Sequence, residues 1–283
     1  NRFNLPDHYY QRIVENQDEH YVRRMVDNQF GYSRAGKPVH PSFDHRRHVA
    51  GEIIPFRPQL PLLVGIDAST NALTPAAVLG QVLPNGRLAV IDELAFEHGY
   101  GPSRFGEALK RRLDEKYHQR SSIRGWADPA SQYGGDRDAG QLAAMEILSV
   151  ILGFPLELPF GGSNEIALRL DAVNVELRGY TDADTSLLIS PNCDQVIEAI
   201  AGRYRFKKRS ETASTEYEDA PEKTHPWSDL MDALQYLSGG VRGRTAIMKA
   251  LTGGTHLANG TRQGWGGKPA AAKSKGGFDP HNF

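Results

Sequence analysis

Two short apolar runs, each stopping on an aspartate and separated by a helix-length segment, constrain this chain more than any other feature. Residues 62–66 read Leu-Leu-Val-Gly-Ile and end on Asp67; residues 123–127 are short and apolar and end on Asp128, just before Pro129. Between them, residues 76–83 and 87–96 carry strand-like runs split by the turn signal Pro84-Asn85-Gly86, so the sheet opens with three antiparallel strands. Residues 102–117 place Pro near the start and Phe105, Ala108, Leu109, Leu113 and Tyr117 at helical spacing. A helix of that length lets the fourth strand cross over and lie parallel beside the first. Neighbouring strands are about 4.8 Å apart, so Asp67 and Asp128 are expected side by side. Their repulsion must be cancelled by a shared proton or a divalent cation. Hard carboxylate oxygens favour magnesium or manganese over zinc.

Downstream, residues 141–152 and 165–177 read as helices, 186–189 as a short strand and 194–202 as a helix; 203–225 is charged and poorly periodic, and 226–238 reads as a helix. That last helix offers a third acid. Asp229 and Asp232 are three apart and share a face, while Leu230, Met231, Leu234 and Leu237 can pack inward on the neighbouring one. Aspartate in a first helical turn is also explained by capping and the helix dipole, worth about 0.5–2 kcal/mol. The set of three carboxylates gives these residues a second explanation.

Composition excludes several classes. The 283 residues carry 33 Lys+Arg against 34 Asp+Glu with 39% hydrophobic residues, an ordinary globular balance. No run approaches the roughly 18–20 apolar residues of a membrane span. The single cysteine, Cys193, forms no internal disulfide or cysteine-based zinc site. With no basic leader ahead of an apolar segment, the cytoplasm is the expected compartment. The chain opens on Asn1 rather than Met, which reads as a fragment or processed product. From Gly239 onward, seven Lys/Arg against one acid give +6, leaving −7 for residues 1–238. Glycine richness makes the tail from residue 243 a poor candidate for packed structure. The first 58 residues read as one amphipathic helix, 18–30, followed by a Pro- and His-rich strap.

Other features have competing explanations. Arg203, Arg205, Lys207, Lys208 and Arg209, interleaved with Tyr204 and Phe206, suit a phosphate-tracking ribbon; self-pairing with the five acids of residues 211–222 in a hairpin explains them as well. Gly31 to Lys37 nearly matches a phosphate-binding loop, but Pro38 stands where a hydroxyl is required, so no ATP hydrolysis is expected. Asp92 and Glu93 are either further acids near the cluster or edge-turn carboxylates. His40, His45 and His48 lack the spacing and carboxylate partner of a helical zinc site, which favours structural or solvent-facing roles.

The set Gly65-Ile66-Asp67, Trp126-Ala127-Asp128-Pro129-Ala130 and the stretch from His225 to Tyr236 resembles the nuclease domain of the large terminase subunit of tailed bacteriophages. Residues 4–44 are similar to the segment that joins a terminase motor to its nuclease, and Ser190-Pro191-Asn192-Cys193 is familiar from that family. The resemblance implies an RNase H-like (RuvC-like) α/β fold, a mixed sheet of three antiparallel and then parallel strands flanked by helices. It divides the chain into a helix and linker strap (1–58), a nuclease domain (59–242) and a basic tail (243–283). It implies a catalytic set of Asp67, Asp128, Asp229 and Asp232, with Asp67 and Asp128 as the first two metal ligands, Asp229 as the third and Asp232 in close support, although family members with an Asp-Ala-Leu-x-Tyr pattern would place the third at Asp232. It also implies two Mg2+ or Mn2+ ions, cleavage of double-stranded DNA during genome packaging in the host cytoplasm, and the portal and small terminase subunit as partners. The family's ATP-driven motor would precede Asn1, and a hairpin near residues 203–225 borders the nuclease groove in related terminases. A Holliday-junction resolvase, a transposase-like nuclease and a non-catalytic DNA-binding scaffold share the pattern. A sugar-kinase-like ATPase, suggested by Gly65-Ile66-Asp67-Ala68-Ser69-Thr70, lacks its second phosphate loop and adenosine loop.

Overall fold

A computed structural model describes residues 36–68, 74–96, 99–134, 141–181, 184–208 and 217–253. In chain order these form β1 (Gly36–Pro38), α1 (His45–His48), β2 (Leu62–Asp67), β3 (Ala76–Val82), β4 (Leu88–Ala95) and α2 (Pro102–Lys116). Then come β5 (Ile123–Ala127), α3 (Ala144–Leu152), β6 (Leu156–Glu157), α4 (Ile166–Arg178), β7 (Tyr180–Thr181), β8 (Asp184–Thr185) and β9 (Leu187–Ile189). The chain continues through α5 (Asp194–Glu198), β10 (Arg205–Lys208), β11 (Tyr217–Pro221) and α6 (Trp227–Gly253). Among the described residues no helix is long and apolar enough to cross a membrane.

The main sheet has the order β6-β5-β2-β3-β4-β9. β2, β3 and β4 are antiparallel, while β5 lies parallel to β2 with Ile66 opposite Ala127. This is the RNase H-like mixed sheet, and it follows from local chemistry. The β3–β4 connection closes with Leu83 N donating to Arg87 O at 2.8 Å, and Gly86 takes a φ of 83°, a backbone region costly for residues with a Cβ. α2 begins with proline, whose missing N–H costs nothing there, and buries Phe105, Leu109 and Leu113 at four-residue intervals.

Both faces of the sheet are covered, so β2 is buried almost throughout, as a central strand in such a layer must be. Leu62, Val64 and Ile66 face α2 and α3. Leu63 faces the opposite layer, with Val173 and Leu177 of α4 and Leu230, Leu234 and Leu237 of α6. α6 approaches the sheet closely because small residues stand at the crossings. A Cβ at Gly65 would lie 2.1 Å from Ala233 O, and one at Gly240 would lie 2.0 Å from the Trp126 ring.

α6 runs to Gly253 with a break in helical geometry at Gly243, so the first part of the stretch read as a tail is helical and buries Ile247 against α4. The helix expected over 194–202 forms as α5 and continues as one wider helical turn, Ala199–Arg203. The strap packs on the domain: β1 pairs with β10, and Val49 bridges Ile189. His40 and His48 are fully buried, bound to Asn174 and to Leu177 O, the structural role expected of them. The amphipathic segment 18–30, Ser69, Thr70, Arg209 and residues 254–283 lie outside the described residues.

Candidate active site

The alternation of a strand decides where the acids point. Asp67 has the same parity as Leu63 and Gly65, and Leu63 and Gly65 face α6. On β5, Trp126 faces the same layer, and Asp128 follows it by two. Asp128 N donates to Ile66 O at 3.2 Å, which ties the two strand ends together. The Gly65–Ala233 crossing sets Asp229 one helical turn before that contact and Asp232 directly beside it. Asp128, Asp229 and Asp232 thereby lie near enough to Asp67 for their charges to act on it.

Each acid has a different environment. Asp128 Oδ1 accepts from Ala130 N at 2.8 Å and from Asn164 Nδ2 at 3.0 Å. Asp229 is 5% exposed, and its Oδ2 lies 2.6 Å from His225 Nδ1. Burial outweighs that contact and holds its carboxyl above the ordinary range. Asp232 is 2% exposed; its Oδ1 lies 2.6 Å from Arg169 Nη2, and its other oxygen is paired with Lys223. Among the described residues nothing donates to the Asp67 side chain. Burial first, and then the charges of Asp232, Asp128 and Asp229, push its carboxyl well above the ordinary value.

Among the described residues no three acidic, imidazole or thiol groups converge into a ready-made metal cluster. Asp232 is turned to Arg169 and Lys223, and Asp229 to His225. In donor type and charge the residues nonetheless suit a divalent cation. All four offer hard oxygens, and among the described residues the permanent cations touching them, Arg169 and Lys223, both engage Asp232, which leaves Asp67 for an incoming cation to pair. Asp67 and Asp128 would hold such an ion, with Asp229 or Asp232 completing the set.

The remaining candidates are placed elsewhere. Asp92 and Glu93 sit within β4, not at an edge turn. Asp92 is bound by Arg112 and Tyr117, while Glu93 accepts from the backbone N–H groups of Gln195 and Val196. Gly36 and Lys37 of the near phosphate loop are strand residues in β1. β10 pairs antiparallel with β11, and Arg205 bonds Glu222 at 3.2 Å, so part of the basic run is self-paired. Arg203 lies 4.8 Å from the centre of the Trp227 ring, and Lys207 is exposed. Asn164, Arg169 and Lys223, all in contact with the acids, carry no signal in the sequence that links them to the site.

No protein-family model and no curated protein matches the sequence. Solved structures do. The large terminase of a thermophilic bacteriophage matches with a TM-score of 0.51 at 18% identity, over 82% of this chain and 52% of that one. This chain shares the fold of the matched half of that protein. The same terminase with ATP-gamma-S gives 0.51 at 16% identity, over 83% and 53%, so the chain spans about half the length of the large terminases it matches. The large terminase nuclease of the thermophilic phage G20c matches with 0.45 at 14% identity, over 72% of this chain and 97% of that one.

Proposed function

We propose that this chain is a metal-dependent endonuclease that cuts double-stranded DNA during viral genome packaging, the nuclease part of a large terminase subunit. The observation that carries the reading is the approach of Asp128, at the adjacent strand end, and of Asp229 and Asp232 from α6 to Asp67, to which nothing donates among the described residues and whose carboxyl their charges push upward. The shared fold with a phage large terminase supports it. A divalent cation, when bound, supplies a Lewis acid that makes water nucleophilic near neutral pH and stabilises the leaving 3′ oxygen. The chain's own residues do the rest. Asp67 and Asp128 face one space, His225 fixes the direction of Asp229, and Lys223, 62% exposed, sets an ammonium at the rim where a phosphate would arrive. Mg2+ or Mn2+, a pair of ions in the family pattern, is the proposed cofactor class; the portal, the small terminase subunit and the host cytoplasm complete the proposed setting.

Asp67→Asn tests the reading. Removing the charge should abolish Mg2+- or Mn2+-dependent plasmid cleavage, and without metal the variant should melt no lower than the parent, because the repelled charge is gone. Unchanged cleavage removes Asp67 from the site. A DNA-binding scaffold without catalysis is the second reading, favoured by the engagement of Asp232 with Arg169 and Lys223. It predicts that neither parent nor variant binds Mn2+.

A further inference from the structure

Two side chains join the acids of the sheet to those of the helix. Asn164 precedes α4 and is exposed, yet both ends of its amide are used. Its Nδ2 donates to Asp128 Oδ1 at 3.0 Å, and its Oδ1 accepts from Arg169 Nη1 at 3.2 Å. The other arm of the Arg169 guanidinium lies 2.6 Å from Asp232 Oδ1, and the group sits 4.6 Å from the centre of the Tyr236 ring. Arg169 is only 7% exposed.

We propose that Asn164 and Arg169 are positioning residues, forming one bridge that fixes the direction of the Asp128 carboxylate and its separation from Asp232. The inference rests on the nuclease reading above. Hydrogen-bond chemistry gives the bridge a single sense. Arginine has donors only, so Asn164 must turn its oxygen to Arg169 and its NH2 to Asp128. With Oδ1 taken by Asn164 and Ala130 N, Asp128 keeps Oδ2 for the space it shares with Asp67. A planar fork can reach Asn164 and Asp232 at once, and stacking on Tyr236 holds its plane. A lysine ammonium carries the charge without the fork.

The test is Mn2+ affinity, read by paramagnetic resonance of free Mn2+, on the full chain and on Asn164→Ala, Arg169→Lys, the double variant and Asp67→Asn. Asn164→Ala and Arg169→Lys should each weaken binding ~10-fold, the scale seen when groups behind metal ligands are removed. The double variant should be no weaker than the worse single one, because either change breaks the same bridge. Asn164 is exposed, so its alanine variant should melt like the parent, which separates positioning from folding; if Arg169→Lys does not fold, Asn164→Ala alone decides. Parental affinity in Asn164→Ala beside lost affinity in Asp67→Asn overturns the bridge and spares the nuclease reading. Parental affinity in Arg169→Lys, or effects that multiply in the double variant, also overturns it. A parent chain with no saturable Mn2+ binding overturns both.

Discussion

Replacing Gly65 by alanine probes the contact that brings the helix acids to the strand acids. The new Cβ would stand 2.1 Å from Ala233 O and 2.8 Å from Leu237 N and Cβ. Ordinary contact begins at 3.4 Å, so the helix backbone must retreat by about 1.3 Å, and no flexible side-chain end is available to yield instead. Overpacking of this kind costs about 1–3 kcal/mol, offset by about 0.4–1 kcal/mol from the stiffer unfolded chain. For a domain of this size each kcal/mol moves the melting temperature by about 2–4 °C, so a fall of several degrees is expected. Cleavage should suffer more, because a misplacement of about 1 Å can cost ~100-fold in rate. Thermal melts and Mn2+-dependent plasmid cleavage well below the melt would be measured together, with Gly51→Ala, whose Cβ meets nothing within 4 Å, as the silent control. Parental melting in Gly65→Ala refutes the seat. A lowered melt with parental cleavage refutes the claim that the seat positions the acids.

Three other expectations follow from the same structure. Burial lifts the Glu93 carboxyl from 4.5 to about 7, against the pull of its bonds from Val196 and Gln195 and with Asp194 adding to the rise. A carboxyl raised on folding stabilises fully below its unfolded value and loses that contribution as pH climbs through the folded one. Relative to Glu93→Gln, the parent should therefore lose about 3 kcal/mol between pH 4.5 and somewhat above 7 in urea unfolding; a pH-independent difference contradicts this. Lys207→Ala should lower the salt dependence of DNA binding by about one phosphate contact, a slope change of about 0.9, and an unaltered slope removes Lys207 from the DNA path. Arg242→Ala strands Glu176, which is fully buried and bonded to Arg242 at 2.5 and 3.1 Å, and should cost about 3–5 kcal/mol by denaturant titration, with a loss under about 1 kcal/mol as the contrary result.

Much of the fold was legible because its determinants are local. Strand alternation, the turn at Pro84-Asn85-Gly86 and the helix between two acid-ended runs need only short windows, and together they locate Asp67 beside Asp128. Leu230, Met231, Leu234 and Leu237 likewise announce the buried side of α6. The length of α6 was not legible, since Gly239, Gly240 and Gly243 look like helix breakers; packing of Gly240 on Trp126 and of Gly239 on Phe160 favours the missing side chains. β1 contains proline and carries no strand pattern, as an edge strand can. β10 is four residues long with a shifted register, too short and irregular to show a period. Asn164 bonds an acid 36 residues away, and no window reveals a partner at that distance.

The pairing of β1 with β10 also has a mechanical side. Gly36, Lys37 and Pro38 lie opposite Lys207, Phe206 and Arg205, and the next fixings along the strap are buried Val39, whose N donates to Tyr204 O, and then buried His40 and His48. A pull applied at Gly36 therefore reaches β10 before it reaches the histidines or the main sheet. Among the described residues, the strand that carries Arg205 and Lys207 is the first to share a load placed on the start of β1.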